Sequence, residues 1–257
     1  MRTSIMIVAG LFASLMAQPV IAQTEKPTVV LVHGAFAGSS SWDDVIVQLE
    51  KDGYQVIAAA NGLRSVKADA APISALVASI KGPVVLVGHS YGGPVITAAA
   101  DGNHNVKAMV FVSAFAPDTG ETALGLTGKF PGSTLGDTLM TVPLPDGGKD
   151  FYVASAKFHH QFAADVPAPK AALMAAAQRP VTEAALGEAT TVATWKAVPN
   201  YAIYGTADQN IPPAAMKFMA ERAGSRKTVV VPGASHSIMV SHPTEVSALI
   251  ELAASSR

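Results

Sequence analysis

The 257-residue chain contains no cysteine. That excludes disulfides, thiolate metal sites, iron–sulfur clusters, a cysteine nucleophile and lipid attachment through an N-terminal Cys. Charge is scarce as well: 14% of residues are charged, against a usual share of about 25%. With 18 Lys+Arg against 19 Asp+Glu, the net charge of −1 leaves no surplus of cations for a phosphate backbone or an anionic membrane. Nucleic acid is therefore not an expected partner. A hydrophobic share of 49% excludes a disordered chain, and the length suffices to bury a large core. Also missing are a P-loop, a Gly-rich dinucleotide fingerprint and a metal-ligand motif, so neither cofactor nor metal is expected.

No apolar run reaches the roughly 20 residues that a bilayer span requires. Ile5–Ala17 is apolar but is broken by Gln18-Pro19, and it follows Arg2 and precedes Val20-Ile21-Ala22, with small residues at −3 and −1. This reads as a secretory leader over residues 1–22, cleaved after Ala22. The mature chain, 23–257, is then exported to the periplasm or the medium and holds no stable membrane span.

What is present is an alternation. Nearly continuous apolar runs, Thr28–His33, Gln55–Ala58, Val84–His89, Val106–Val112, Tyr201–Tyr204 and Thr228–Val231, read as buried parallel strands. Between them, Ser41–Asp52, Ala68–Ile80, Tyr91–Asp101, Pro213–Ala223 and Pro243–Ala254 read as helices. The expected fold is α/β, a doubly wound, mostly parallel sheet. The alternation lapses after Pro117, where Pro131-Gly132, Pro143, Pro145 and Gly147-Gly148 cluster, and helical patterns resume at Phe158–Phe162 and Ala168–Arg179. One domain with an inserted helical cap over about residues 117–198 is expected.

The chemistry centres on Gly88-His89-Ser90-Tyr91-Gly92-Gly93, between an apolar strand and a small-residue helix. A nucleophile elbow needs small residues on both sides of its Ser because the strained turn brings backbone segments together. Such a turn lifts Ser90 out of the sheet and leaves the Tyr91 N–H at a helix start, facing a developing oxyanion. Leu31-Val32-His33-Gly34-Ala35 ends the first strand and offers the Ala35 N–H as the second donor. A serine hydroxyl needs an imidazole to take its proton, and the imidazole needs an acid to hold its tautomer. Asp208 and His236 each lie just beyond a late strand, in the order Ser, acid, His; Asp118, after the strand that follows the nucleophile helix, is the competing acid. Among the other histidines, His33 and His89 read as loop packing, His104 as solvated, His159-His160 as cap surface or pocket lining, and His242 as the start of the last helix.

These segments resemble the α/β-hydrolase superfamily, and within it the branch of plant methyl esterases, hydroxynitrile lyases and bacterial hydrolases. The likeness runs from Val30–Ala35 through Val87–Gly93 and Phe111–Asp118 to Gly233–His236. It implies a Ser90–Asp208–His236 triad, oxyanion donors Ala35 and Tyr91, and hydrolysis of a small-molecule ester. Ser90 at the elbow argues against the dehalogenases and epoxide hydrolases of that superfamily, which place Asp there. Cofactor-free perhydrolysis, carbon–carbon bond hydrolysis and a non-catalytic binding role remain alternatives. Related lyases place a Lys after the catalytic His and a Thr at the oxyanion-loop Gly; here these are Ser237 and Gly34, which favours ester hydrolysis over cyanide release. Phe115, Phe158, Phe162 and Met174, with Phe151 and Leu173, are candidates for an apolar substrate pocket under the cap.

Overall fold

The computed structural model describes residues 26–256; the leader assigned to residues 1–22 lies outside them. Among the described residues nine strands are formed, in chain order β1 (Thr28–Val32), β2 (Val56–Ala59), β3 (Val84–His89), β4 (Val106–Val112), β5 (Leu139–Pro143), β6 (Lys149–Val153), β7 (Val181–Thr182), β8 (Asn200–Gly205) and β9 (Lys227–Val231). Six of them pair in parallel in the order β2-β1-β3-β4-β8-β9. Helices α1 (Asp43–Lys51), α2 (Val66–Ser79) and α3 (Gly92–Ala99) join the first strands; α4 (Ala123–Lys129), α5 (Ser155–Phe162), α6 (Ala168–Ala177) and α7 (Glu183–Gly187) lie between β4 and β8; α8 (Pro213–Arg222), α9 (Ile238–Ser241) and α10 (Pro243–Ser255) follow.

The apolar runs become strands because both faces of the sheet are covered. Along β1, Val30 and Val32 enter one core with Ile73 of α2, Ile96 of α3 and Met219 of α8, while Val29 and Leu31 enter a second with Leu49 of α1 and Ile250 of α10. Side chains alternate across a strand, so a continuous apolar run feeds two cores at once. Helix α2 starts at Val66, two residues before the expected Ala68, because Ser65 Oγ caps it by accepting from the Ala68 N–H at 3.0 Å.

The segment between β4 and β8, termed the cap below, is helical only in part. It also carries the three-stranded antiparallel sheet β5-β6-β7, which the expected helical cap left out. Pro143, Pro145 and Gly147-Gly148 of its Pro and Gly cluster lie at the turn of a hairpin, closed by Leu144 N–H to Gly148 O at 2.8 Å with Gly147 at φ 87°. Among the described residues no helix is long and apolar enough to cross a membrane.

Candidate active site

Strand β3 ends at His89 and α3 begins at Gly92, leaving two residues to reverse direction. Ser90 takes φ 54°, the left-handed region that costs a non-glycine residue energy. Backbone bonds hold it there: its N–H reaches Val112 O at 3.3 Å, and its carbonyl accepts from Gly93 at 3.0 Å and Phe115 at 3.2 Å. A Cβ on Gly88 would sit 2.6 Å from Gly92 O, and one on Gly92 would sit 2.5 Å from Val32 O. The elbow thus tolerates only hydrogen at both positions.

His236 follows β9 and Asp208 follows β8. His236 Nδ1 lies 2.6 Å from Asp208 Oδ2, and both side chains are almost fully buried. The other oxygen, Oδ1, accepts from the N–H groups of Asn210 at 2.8 Å and Ile211 at 2.9 Å. With both carboxylate oxygens engaged, Nδ1 carries the proton and Nε2 presents a lone pair. Asp118, the competing acid, is instead paired with Lys196 at 2.5 Å, which holds its carboxyl below the usual range, and it does not line the cavity.

Ser90, His236, Ala35 and Tyr91 line one cavity of about 440 Å³. Among the described residues, the backbone N–H groups of Ala35 and Tyr91 find no acceptor. The Tyr91 hydroxyl is turned away into the core, where it donates to Asp69 Oδ2 at 2.9 Å, and burial raises the pKa of both groups. That anchor fixes the residue whose N–H faces the cavity. No Asp, Glu, Lys or Arg lines the cavity. Among the described residues, no cluster of three or more His, Cys, Asp or Glu could hold a metal.

Of the pocket residues expected from sequence, Phe115 and Phe151 line the cavity. Phe158, Phe162 and Met174 do not, and Leu173 is 73% exposed to solvent. The reason is helix orientation. Helix α5 turns its aromatic face inward, stacking Phe158 on Phe162 at 5.0 Å and Phe162 edge-on to the His236 ring at 5.0 Å. Leu124, Phe130, Leu135 and Leu139 supply much of the wall instead. Their only trace in the sequence is apolar residues inside a Gly- and Pro-rich stretch.

His33 and His89 are packing residues. His89 Nε2–H donates to His236 O at 3.0 Å, and burial drives its pKa well below the ordinary value. His33 Nδ1–H donates to Gly34 O at 2.9 Å, Nε2 accepts from Asn61 N–H at 3.2 Å, and burial lowers its pKa to about 4. The unfolded chain therefore takes up its proton first as pH falls. The stability due to neutral His33 is complete above about pH 6.5 and is lost between there and about pH 4, at up to about 1.4 kcal/mol per pH unit. Urea unfolding across this window should show a slope to which His33 and His89 both contribute, and His33→Gln should reduce it by up to the His33 share; a slope unchanged in that variant would contradict a neutral buried His33 imidazole.

Residues 29–249 match the model of the alpha/beta hydrolase family. Methylesterase 3 of Arabidopsis thaliana is 34% identical over 155 residues, 53% of this chain and 59% of that protein. Salicylic acid-binding protein 2 of Nicotiana tabacum is 28% identical over 249 residues, 87% of this chain and 96% of that protein. Against the first of its curated relatives the chain spans about half their length. The crystal structure of polyneuridine aldehyde esterase superposes with a TM-score of 0.78 at 23% identity, covering 88% of this chain and 98% of that one, a likeness of fold. With the family model matched across the parallel sheet, the elbow and both late loops, the chain belongs to the α/β hydrolase family.

Proposed function

We propose that this protein is a serine esterase that cleaves a carboxylic ester of a small apolar or aromatic molecule through an acyl-enzyme. The observation that carries the reading is a single uncharged cavity bearing Ser90, a histidine locked by Asp208, and two backbone N–H groups without acceptors. In this mechanism Ser90 Oγ attacks the ester carbonyl while its proton passes to His236 Nε2. The tetrahedral oxyanion is held by the Ala35 and Tyr91 N–H groups, whose positions are set in advance by the β1 end and the elbow. The alcohol leaves with the proton from His236. A water then repeats the sequence on the acyl-enzyme, and Asp208 stabilises the imidazolium in both halves. Ser90 Oγ has no hydrogen-bond partner among the described residues, and in this mechanism its bond to Nε2 forms when substrate fills the cavity. An ionised acyl or alcohol group would lose its hydration there with no counter-charge, so neutral esters are the substrate class. The names of its methylesterase relatives agree with this class. A panel of p-nitrophenyl and methyl esters graded by chain length tests it by release of free acid.

Cyanohydrin cleavage is the reading to separate from it, and Gly34 and Ser237 weigh against it. A Cβ on Gly34 would sit 2.6 Å from both His89 O and Ser90 Cβ, so this backbone has no room for a Thr. Ser237 donates its hydroxyl to Phe162 O at 2.9 Å and brings no cation to a departing anion. The protein should release acid from esters and no cyanide from mandelonitrile or acetone cyanohydrin. Gly34→Thr should lower ester turnover by about 10²-fold or more by displacing the oxyanion loop. Triad-dependent cyanide release without ester turnover would overturn the assignment. Perhydrolysis and carbon–carbon bond hydrolysis use the same triad, and peracid formation or diketone cleavage outrunning every ester would favour them. Wild-type turnover of every ester in the panel no higher than that of Ser90→Ala would favour a binding role. The leader motif supports export, and the proposal predicts a mature N-terminus at Gln23, readable by N-terminal sequencing.

A further inference from the structure

The loops that carry the acid and the base both rest on the last turn of cap helix α5. Gln161, 2% exposed, donates through Nε2 to Gln209 O at 2.9 Å and to Asn210 Oδ1 at 2.8 Å, and its Oε1 accepts from Thr134 Oγ at 2.9 Å. A backbone carbonyl can only accept, so the Gln209 contact fixes which way the Gln161 amide faces, and that in turn fixes the Asn210 amide. Among the described residues Asn210 Nδ2 has no partner, so Gln161 is the sole tether of that side chain. Asn210 and Ile211 are the residues whose N–H groups grip Asp208 Oδ1. The neighbouring Phe162 receives at its carbonyl the N–H of Ser237 at 3.1 Å and its hydroxyl at 2.9 Å, and lays its ring against His236.

We propose that Gln161 is a positioning residue: it holds the acid loop from the cap so that Asp208 meets His236 Nδ1 in line. The inference rests on the Ser90–His236–Asp208 reading. Its physical basis is that a 2.6 Å hydrogen bond between two loops survives only if both are held to within a fraction of an ångström. The acid loop has no regular secondary structure between the end of β8 and the start of α8 to do this itself. Two further cap contacts reinforce the same loop: Thr134 N–H to Gln209 O at 3.0 Å and Ser133 Oγ to Asn210 O at 2.9 Å. Because Ser133 also lines the cavity, the wall that seats substrate and the support of the acid are one piece of chain.

The test is Gln161→Met, which keeps the side-chain shape and removes every donor and acceptor, with the wild type and Thr134→Val beside it. The first readout is the far-downfield proton NMR resonance of the short Nδ1–H bond of His236, which needs no turnover. In the folded Met variant that resonance should broaden or move upfield, and kcat should fall by about 10²-fold with KM within about twofold, the pattern of misplaced catalytic groups rather than lost binding. Thr134→Val, which removes one of the three bonds that hold the Gln161 amide without touching the core, should move both readouts the same way by a smaller amount, and serves if the Met variant does not fold. A resonance unchanged from wild type, with kcat within about threefold, in whichever variant folds would overturn the proposal. If the wild type turns over no ester yet the resonance shifts as described, the positioning role stands and the esterase reading falls.

Discussion

Ser90→Ala should lower kcat on an activated ester by on the order of 10⁶-fold while leaving the fold intact, because the other hydroxyls that line the cavity, Thr127 and Ser133, donate to the carbonyls of Ala123 and Asn210. The cost in stability is small. Alanine keeps the Cβ that already occupies the φ 54° position, and the three backbone bonds that pin the turn do not involve the hydroxyl. Turnover above the uncatalysed rate should persist at a low level, since Ala35 and Tyr91 still present their N–H groups to an attacking water. Serine-directed phosphonates should label the wild type at Ser90 and leave the variant unmodified. If deacylation is the slower half, p-nitrophenol should appear in a burst equal to the enzyme concentration. Undiminished turnover in the variant would place the nucleophile elsewhere.

Asp208→Asn should reduce kcat by about 10⁴-fold. The amide oxygen of Asn can still accept from the N–H groups of Asn210 and Ile211, so the loop keeps its shape. Its NH2 then faces His236 Nδ1, which must turn its lone pair toward it and carry its proton on Nε2. The base is presented to Ser90 already protonated. Circular dichroism and thermal unfolding should show a folded variant, which separates lost tautomer control from lost structure. Asp118→Asn should change kcat by less than about twofold, since its partner is the exposed Lys196 and such surface pairs contribute little. The reverse ranking of the two variants would move the acid to the end of β4.

The parts of this molecule readable from sequence are those in which one short segment determines its own surroundings. Val84–His89 can only be a buried strand, and Gly88, Ser90 and Gly92 force the turn that follows, so strand, elbow and nucleophile are legible together. Asp208 and His236 follow from chain order and the ends of β8 and β9. The cap is where the reading thins. Strands β5 and β6 are short and Met140 is half exposed, so no buried run announces them, and Pro143, Pro145, Gly147 and Gly148 look like the punctuation of a loop when they form a hairpin turn. Phe158 and Phe162 read as pocket walls because aromatic residues near a site often are; which way α5 rolls is decided by packing of Phe162 against His236, a contact distant in sequence. Gln161 gave no signal. A glutamine on an amphipathic helix reads as solvated until its three partners converge on it.

The pairing of Met109 in β4 with Asn200 in β8 closes the sheet across the whole cap. The chain entropy lost in such a closure grows only with the logarithm of its length, about 0.6 kcal/mol for each doubling. Residues can thus be added to the excursion at little thermodynamic expense, provided they enter where nothing is fastened. The turn at Leu144–Gly148 is such a place, since its bonds are local to the hairpin, whereas the end of α5 is fastened to both catalytic loops. Lineages sharing this scaffold can therefore lengthen or exchange the tip of the β5–β6 hairpin freely, and with it the surface the molecule shows to its surroundings. The helix behind it is held to a fixed register by the reaction itself.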